Sequence, residues 1–286
     1  MNATVETANA QFTVHEYASS DASPLRYGKL VNKENPETGS PMLYIPGLGG
    51  SVKGALGFLS LLLGTFSPII APDLRGYGLN PLEKPLHSAS CHLPDLEAFH
   101  AATRLDKLSN ITLCGISLGA ALSTHLAVAH PQRYQRVALM APAFAAHPEM
   151  FPLGYQLKNI FNWVLSGTEH KIHLPYGIEA LTRNPAVLND PQYRDTPPID
   201  LTIDYLLSVK GINQQALAKT KQLTLPTLVI VPGCDLVCDP RAMRQGYANI
   251  PESTPKLLKD YPDLYHDVFF EAEYPQIARD LLEWAK

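Results

Sequence analysis

Asn110-Ile-Thr-Leu-Cys-Gly-Ile-Ser-Leu-Gly-Ala-Ala121 is the stretch on which the fold of this chain turns. A short apolar, strand-like run leads into Gly115-Ile116-Ser117-Leu118-Gly119, and an unbroken helical pattern follows to about His130. Gly-x-Ser-x-Gly between a strand and a helix forms a turn too tight for ordinary side chains on either side of the serine. Glycine there removes the Cβ atoms that would collide, and Ala120 and Ala121 keep the next helical turn slim. The turn holds the Ser117 hydroxyl out at the end of a sheet. The helix N-terminus behind it offers unpaired amides and a dipole that favour developing negative charge.

Working outward from this turn, the segments alternate. Residues 11–17 and 25–31 read as strands, and 42–45 as a buried strand running into Pro46-Gly-Leu-Gly-Gly50. A helix over 54–63, a strand over 67–71 and the polar loop Pro72-Asp-Leu-Arg-Gly-Tyr-Gly78 come next. A helix over 95–108, the strand 111–114, the helix after Ser117 and a strand over 136–141 complete the first half. Short β-branched or apolar runs alternating with helices predict an α/β fold with a mostly parallel sheet built from right-handed βαβ units. From 144 to 222 the rhythm breaks into a Pro-, Asn-, Tyr- and Leu-rich stretch with helices near 155–165 and 201–217. The clean strand 227–231 then restores it. The expected organisation is a core over 1–143, an inserted helical cap over 144–222 lying on the ligand-binding edge of the sheet, and the rest of the core over 223–286.

A serine hydroxyl is a poor nucleophile until a base takes its proton, and that base must be held in one tautomer by a third group. In sites built on this turn the chain order is serine, acid, histidine. Of ten histidines, His266 alone lies late enough, in a loop between the strand-like 255–261 and a C-terminal helix. Two carboxylates follow the strand 227–231. Asp235 lies nearest its carboxyl end and is the expected acid. Asp239 precedes Pro240 and a helical run, which suits an N-cap. The oxyanion hole needs two backbone N–H donors, expected from Leu118 and from the glycine-rich turn, where Leu48 comes first and Gly49 second. That turn lacks both nucleotide-binding patterns, because no Lys-Ser/Thr follows it and Gly-x-Gly-x-x-Gly fails at Val52. Asp73-Leu-Arg-Gly-Tyr-Gly78 reads as a hydrogen-bonded loop beneath it.

Composition sets the outer limits. The chain of 286 residues is 45% hydrophobic and 17% charged, with a net charge of −4, which gives no electrostatic case for nucleic acid. No apolar run is long enough to span a bilayer. The N-terminal residues lack the basic and apolar regions of a signal peptide. Cys91, Cys114, Cys234 and Cys238 show no framework spacing, so reduced thiols and a cytoplasmic location are expected. Cys234 and Cys238 have no second ligand pair at metal-site spacing, so neither a metal nor a cofactor is expected. Oligomeric state is not legible.

With these pieces placed, the chain resembles the α/β-hydrolase superfamily over nearly its whole length. The resemblance is carried by Pro46-Gly-Leu-Gly-Gly50, Asp73-Leu-Arg-Gly-Tyr-Gly78, Gly115-Ile-Ser-Leu-Gly119, Gly233-Cys-Asp235 and Tyr265-His266. Asp235-Leu-Val-Cys-Asp239 and Leu181-Thr-Arg-Asn-Pro with Asn189-Asp-Pro-Gln-Tyr193 look like the monoacylglycerol lipase and lysophospholipase (serine aminopeptidase-like) branch. Pro46 and Ile116 stand where that family often carries His-Gly and His, a departure bearing on substrate rather than mechanism. The resemblance implies a serine esterase acting on a small-molecule, lipid-like ester. Peptidase, acyltransferase, thioesterase and C–C hydrolase chemistry use the same constellation, and a ligand receptor could retain it. Phe144, Phe151, Phe161 and Trp163, in the aromatic first half of the insertion, are the expected lining of an acyl pocket.

Overall fold

The computed structural model describes residues 5–7, 9–36, 39–167, 171–191 and 199–286, with the side chains of 5–7, 106, 160, 161 and 164–166 outside the description. Strands β1 (Val5–Thr7), β2 (Ala10–Ala18), β3 (Pro24–Asn32), β4 (Ser40–Ile45), β5 (Phe66–Pro72), β6 (Ile111–Ile116), β7 (Tyr134–Met140), β10 (Thr227–Pro232) and β11 (Lys256–Tyr261) form one sheet. Its order is β1-β2-β3-β5-β4-β6-β7-β10-β11. From β5 through β11 every neighbour is parallel, while β1, β2 and β3 join antiparallel at one edge. The central strands are buried on both faces, which is why β6 and β10 read as continuous apolar runs rather than alternating ones.

Helices cover the two faces. They are α1 (Leu56–Leu62), α2 (His92–Thr103), α3 (Leu118–Ala129), α7 (Pro240–Asn249) and α8 (Tyr274–Trp284). Every α3 residue from Leu118 to Ala127 is buried, because one side packs on β6 and β7 and another on a helix from the insertion, α6 (Ile203–Lys219). That double cover explains the all-round apolar pattern after Ser117. This is the α/β-hydrolase fold.

Between β7 and β10 lie α4 (Leu153–Ser166), β8 (Lys171–His173), the one-turn helix α5 (Pro185–Leu188), β9 (Asp200–Thr202) and α6. Of the helix boundaries that differ from expectation, two have plain local reasons. The helix expected from 201 starts at Ile203, because β9 pairs with β8 and the Thr202 hydroxyl then accepts the Tyr205 amide at 3.1 Å as an N-cap. The helix expected over 95–108 spans His92–Thr103 and ends where Arg104 turns left-handed at φ 54°.

Candidate active site

Ser117 occupies the single position between β6 and α3, at φ 55° and ψ −123°. Its amide donates to the Met140 carbonyl at 3.0 Å, and its own carbonyl accepts from Ala120, Ala121 and Ala143. A non-glycine residue at positive φ is strained, and these four bonds hold it there. The flanking glycines are sterically required. A Cβ on Gly115 would stand 2.4 Å from the Gly119 carbonyl oxygen, and one on Gly119 would stand 2.1 Å from the Ile45 oxygen.

The acid and the histidine meet because the ends of β10 and β11 are drawn together. Gly233 donates to Tyr261 O at 2.7 Å and Cys234 to Leu264 O at 2.9 Å, where any side chain on residue 233 would strike Pro262. Asp235 Oδ1 accepts the Val237 and Cys238 amides, both at 2.8 Å, so Oδ2 is left for the imidazole. His266 Nδ1 lies 2.6 Å from Asp235 Oδ2, and its Nε2 lies 3.0 Å from Ser117 Oγ. A carboxylate only accepts, so Nδ1 carries the proton and the Nε2 lone pair faces the serine hydroxyl.

Asp235 is 1% exposed and His266 6%. Burial disfavours the imidazolium, but the charge and hydrogen bond of Asp235, reinforced by Asp267, outweigh it and hold the His266 pKa above its ordinary value. Cys238, which the sequence did not mark for this place, lies buried beside Asp235 and Ser117. Burial first, then the nearby carboxylates, push its thiol well above the usual range despite a contact with the Ser117 hydroxyl. Among the described residues, Asp235, Cys238 and His266 are the group whose potential metal-ligating atoms lie within 4.8 Å of one another. An ion there would have to displace the proton shared by Asp235 and His266.

The turn 47–50 closes with Gly50 donating to Gly47 O at 3.1 Å, and Gly49 sits at φ 73°. A Cβ on Gly47 would lie 2.9 Å from Ser117 Cβ, so this turn rests directly against the serine. The two expected oxyanion donors thus adjoin it: Leu118 follows Ser117 at the first position of α3, and Leu48 follows Gly47. Beneath the turn, Asp73 accepts Val52 N at 2.6 Å through one oxygen and Leu79 N at 2.8 Å through the other. Burial, working against those two bonds, pushes its carboxyl up to about 6. Asp239 caps α7, accepting the Arg241 amide at 2.9 Å, and takes no part in the Ser117–His266–Asp235 line.

The aromatic residues expected over the site divide. Phe144 is 1% exposed, and its ring packs over Gly246 of α7, where a Cβ would come within 2.3 Å of it. Phe151 is half-buried, stacks with Tyr155 at 6.1 Å between centroids, and packs on the small apolar cluster of Ala89, Ile172, Leu174, Leu201 and Tyr205. Leu48, Met150, Tyr176 and Ile199 flank the same cluster, which brings the insertion against the glycine turn. Trp163 is half-buried on α4, and the Phe161 side chain lies outside the described ones. All four cysteines are free thiols. No helix among the described residues is long and apolar enough to cross a membrane.

Comparison with known proteins agrees with this architecture. Residues 63–273 match the family model described as serine aminopeptidase, S33. The monoacylglycerol lipase of Mycolicibacterium smegmatis is 25% identical over 228 residues, covering 76% of this chain and 77% of that one. The 2-hydroxymuconate semialdehyde hydrolase of a Pseudomonas species is 30% identical over 125 residues, 42% of this chain and 43% of that one. The fold is similar to that of a soluble variant of the Saccharomyces cerevisiae monoglyceride lipase, with a TM-score of 0.76 at 17% identity over 99% of this chain and 94% of that one. It is similar also to the Paleococcus ferrophilus monoacylglycerol lipase, with a TM-score of 0.72 at 20% identity over 91% and 98%. With the model matched over most of its length, the chain belongs to the serine aminopeptidase, S33, family of α/β-hydrolases.

Proposed function

We propose that this protein is a serine hydrolase that cleaves carboxylic esters of the monoacylglycerol type through an acyl-enzyme. The observation that carries the reading is the unbroken line from Asp235 Oδ2 through His266 to Ser117 Oγ, at 2.6 Å and 3.0 Å. His266 Nε2 takes the hydroxyl proton as Ser117 attacks the ester carbonyl, and the Leu118 and Leu48 amides receive the developing oxyanion. His266 then gives its proton to the leaving alkoxide. Water, deprotonated by the same imidazole, attacks the acyl-enzyme carbonyl and releases the acid and free Ser117. Protein groups and water suffice for each step. The segment 144–222 serves as a cap over this site, and its contacts with the glycine turn suit an apolar chain entering beside Ser117.

Family membership and the M. smegmatis relative support the ester class. The test is turnover of a monoacylglycerol, with a fluorophosphonate to label the nucleophile and mass mapping to locate it. Labelling at Ser117 and loss of turnover by about four to six orders of magnitude in Ser117→Ala are expected, since triad members act as a unit. Retention of more than a tenth of the activity would sink the reading. The partial match to a 2-hydroxymuconate semialdehyde hydrolase, whose named substrate carries no ester, favours C–C bond hydrolysis as the second reading, and faster turnover of that semialdehyde than of any ester would select it.

A further inference from the structure

A buried carboxylate five residues beyond His266 has no part in the proton relay. Glu271 is 0% exposed, and burying a carboxylate is costly unless its oxygens are fully bonded. Oε1 accepts from Thr182 Oγ1 at 2.7 Å and from the Arg183 amide at 2.9 Å, and Oε2 accepts from Arg183 Nε at 3.0 Å. All three donors come from two consecutive residues of the segment inserted between β7 and β10. Neighbouring bonds join the same two segments. The amide of Asp267, next to the histidine, donates to Leu181 O at 2.8 Å. The Phe270 carbonyl accepts from Asn184 Nδ2 at 2.8 Å, and Glu273 takes Arg183 Nη2 at 2.5 Å. On its other side this loop touches the core through Phe269, whose ring lies 4.5 Å from that of Phe58 and 5.9 Å from that of Tyr44.

We propose that Glu271 is a positioning residue, a clamp through which residues 181–184 hold the His266 loop in register with Asp235 and Ser117. The inference rests on the esterase reading above. Docking of the inserted segment and alignment of the imidazole become one equilibrium. When 181–184 are seated, the loop from Asp267 to Glu273 has its amide, carbonyl and carboxylate partners. When they are lifted, Glu271 is left without them and the histidine loses the wall that follows it. A general base must stay within hydrogen-bond reach of the proton it takes, and displacement by about 1 Å costs up to a hundredfold.

The experiment compares Glu271→Gln, Arg183→Ala and Thr182→Val with the wild type in kcat, KM, fluorophosphonate inactivation rate and acid limb of kcat/KM. Glutamine keeps one acceptor oxygen for Thr182 and the Arg183 amide but sets an NH2 against Arg183 Nε. The expected result is a kcat loss of roughly tenfold to a hundredfold in Glu271→Gln, with KM changed less than about threefold and inactivation slowed in parallel. The charged and titratable groups facing the imidazole are Asp235 and Cys238 from the loop after β10, Ser117 from the turn before α3, and Asp267 from its own loop. Loosening the Asp235 bond should therefore move the acid limb to lower pH, a change that lost stability alone does not produce. Should Glu271→Gln fail to fold, Arg183→Ala and Thr182→Val open the clamp from its other side and should show the same, smaller pattern. Folded variants with wild-type kcat and acid limb, or a loss confined to KM, would overturn the proposal. An active Ser117→Ala would instead overturn the esterase reading.

Discussion

At Ser117, position and reactivity share a cause. The residue holds a positive-φ backbone because it is the one position between the end of β6 and the start of α3, and the flanking glycines are the space this requires. Gly119→Ala should therefore cost more than ordinary helix propensity suggests, since its methyl would press on the Ile45 carbonyl that leads into the glycine turn. A loss of about 2–4 kcal/mol in urea unfolding is expected, within the range for a forced backbone shift. A variant as stable as wild type would show that the two chains can separate without penalty. Proton chemistry belongs to this scale too. In the proposed mechanism His266 acts as base only when neutral, and its raised pKa means that acidification removes that form early. The acid limb of kcat/KM should have its midpoint above the ordinary histidine value of 6.5. Asp235→Asn should shift that midpoint down and lower kcat by about three to four orders of magnitude. Asp239→Asn should change kcat little, because asparagine caps α7 comparably well. Rate measurements from pH 5 to 9 on both variants separate the two carboxylates.

Among the elements, the loop 72–78 shows how a polar motif ties two backbone segments together. Asp73 ties the chain after the glycine turn, at Val52, to the end of its own loop, at Leu79. Gly78 has φ 56°, and a side chain there would meet Asp73 Oδ2 at 2.2 Å, so the motif needs glycine and aspartate together. Asparagine has one acceptor oxygen and would turn its NH2 toward the second amide. Asp73→Asn should cost about 1–3 kcal/mol in chemical denaturation. A neutral substitution would mean that the buried carboxyl is not what holds the turn. Helix boundaries are less legible in the sequence than strands for a related reason. Residues 200–202 leave the helical pattern only because residues 171–173 arrive to pair with them, and no periodicity within one segment reveals such a partner.

At the scale of the whole molecule, the insertion lies against the loops of the proposed site. It meets the core at the Asp235 loop, where Ala146 pairs with Cys238, and at the His266 loop through residues 181–184. Ile199 meets the glycine turn so closely that a Cβ on Gly49 would fall 2.1 Å from its side chain. Each methylene withdrawn from water adds on the order of 0.8 kcal/mol, so kcat/KM should rise by tens-fold or more from acetyl to medium or long acyl esters. A maximum at acetate, or faster cleavage of amino-acid amides, would point to an acetylesterase or a peptidase.

The α/β alternation, the glycine-flanked serine, the capping aspartate and the order serine–acid–histidine are local or ordinal properties. The chain states them outright, because backbone sterics and hydrophobic period act within a few residues. Strand position, chain order and the capping role of Asp239 together single out Asp235, which the fold sets 2.6 Å from His266. What only the tertiary structure decided lies between distant segments. The Phe144 ring packs on Gly246, about a hundred residues on, where a bare glycine leaves room for it in the core. Glu271 is one acid among many in the sequence, and its burial against Thr182 and Arg183 follows from how the insertion seats on the sheet. Contacts of that kind depend on which surfaces remain to be covered after the sheet has formed, a condition that no single stretch of residues encodes.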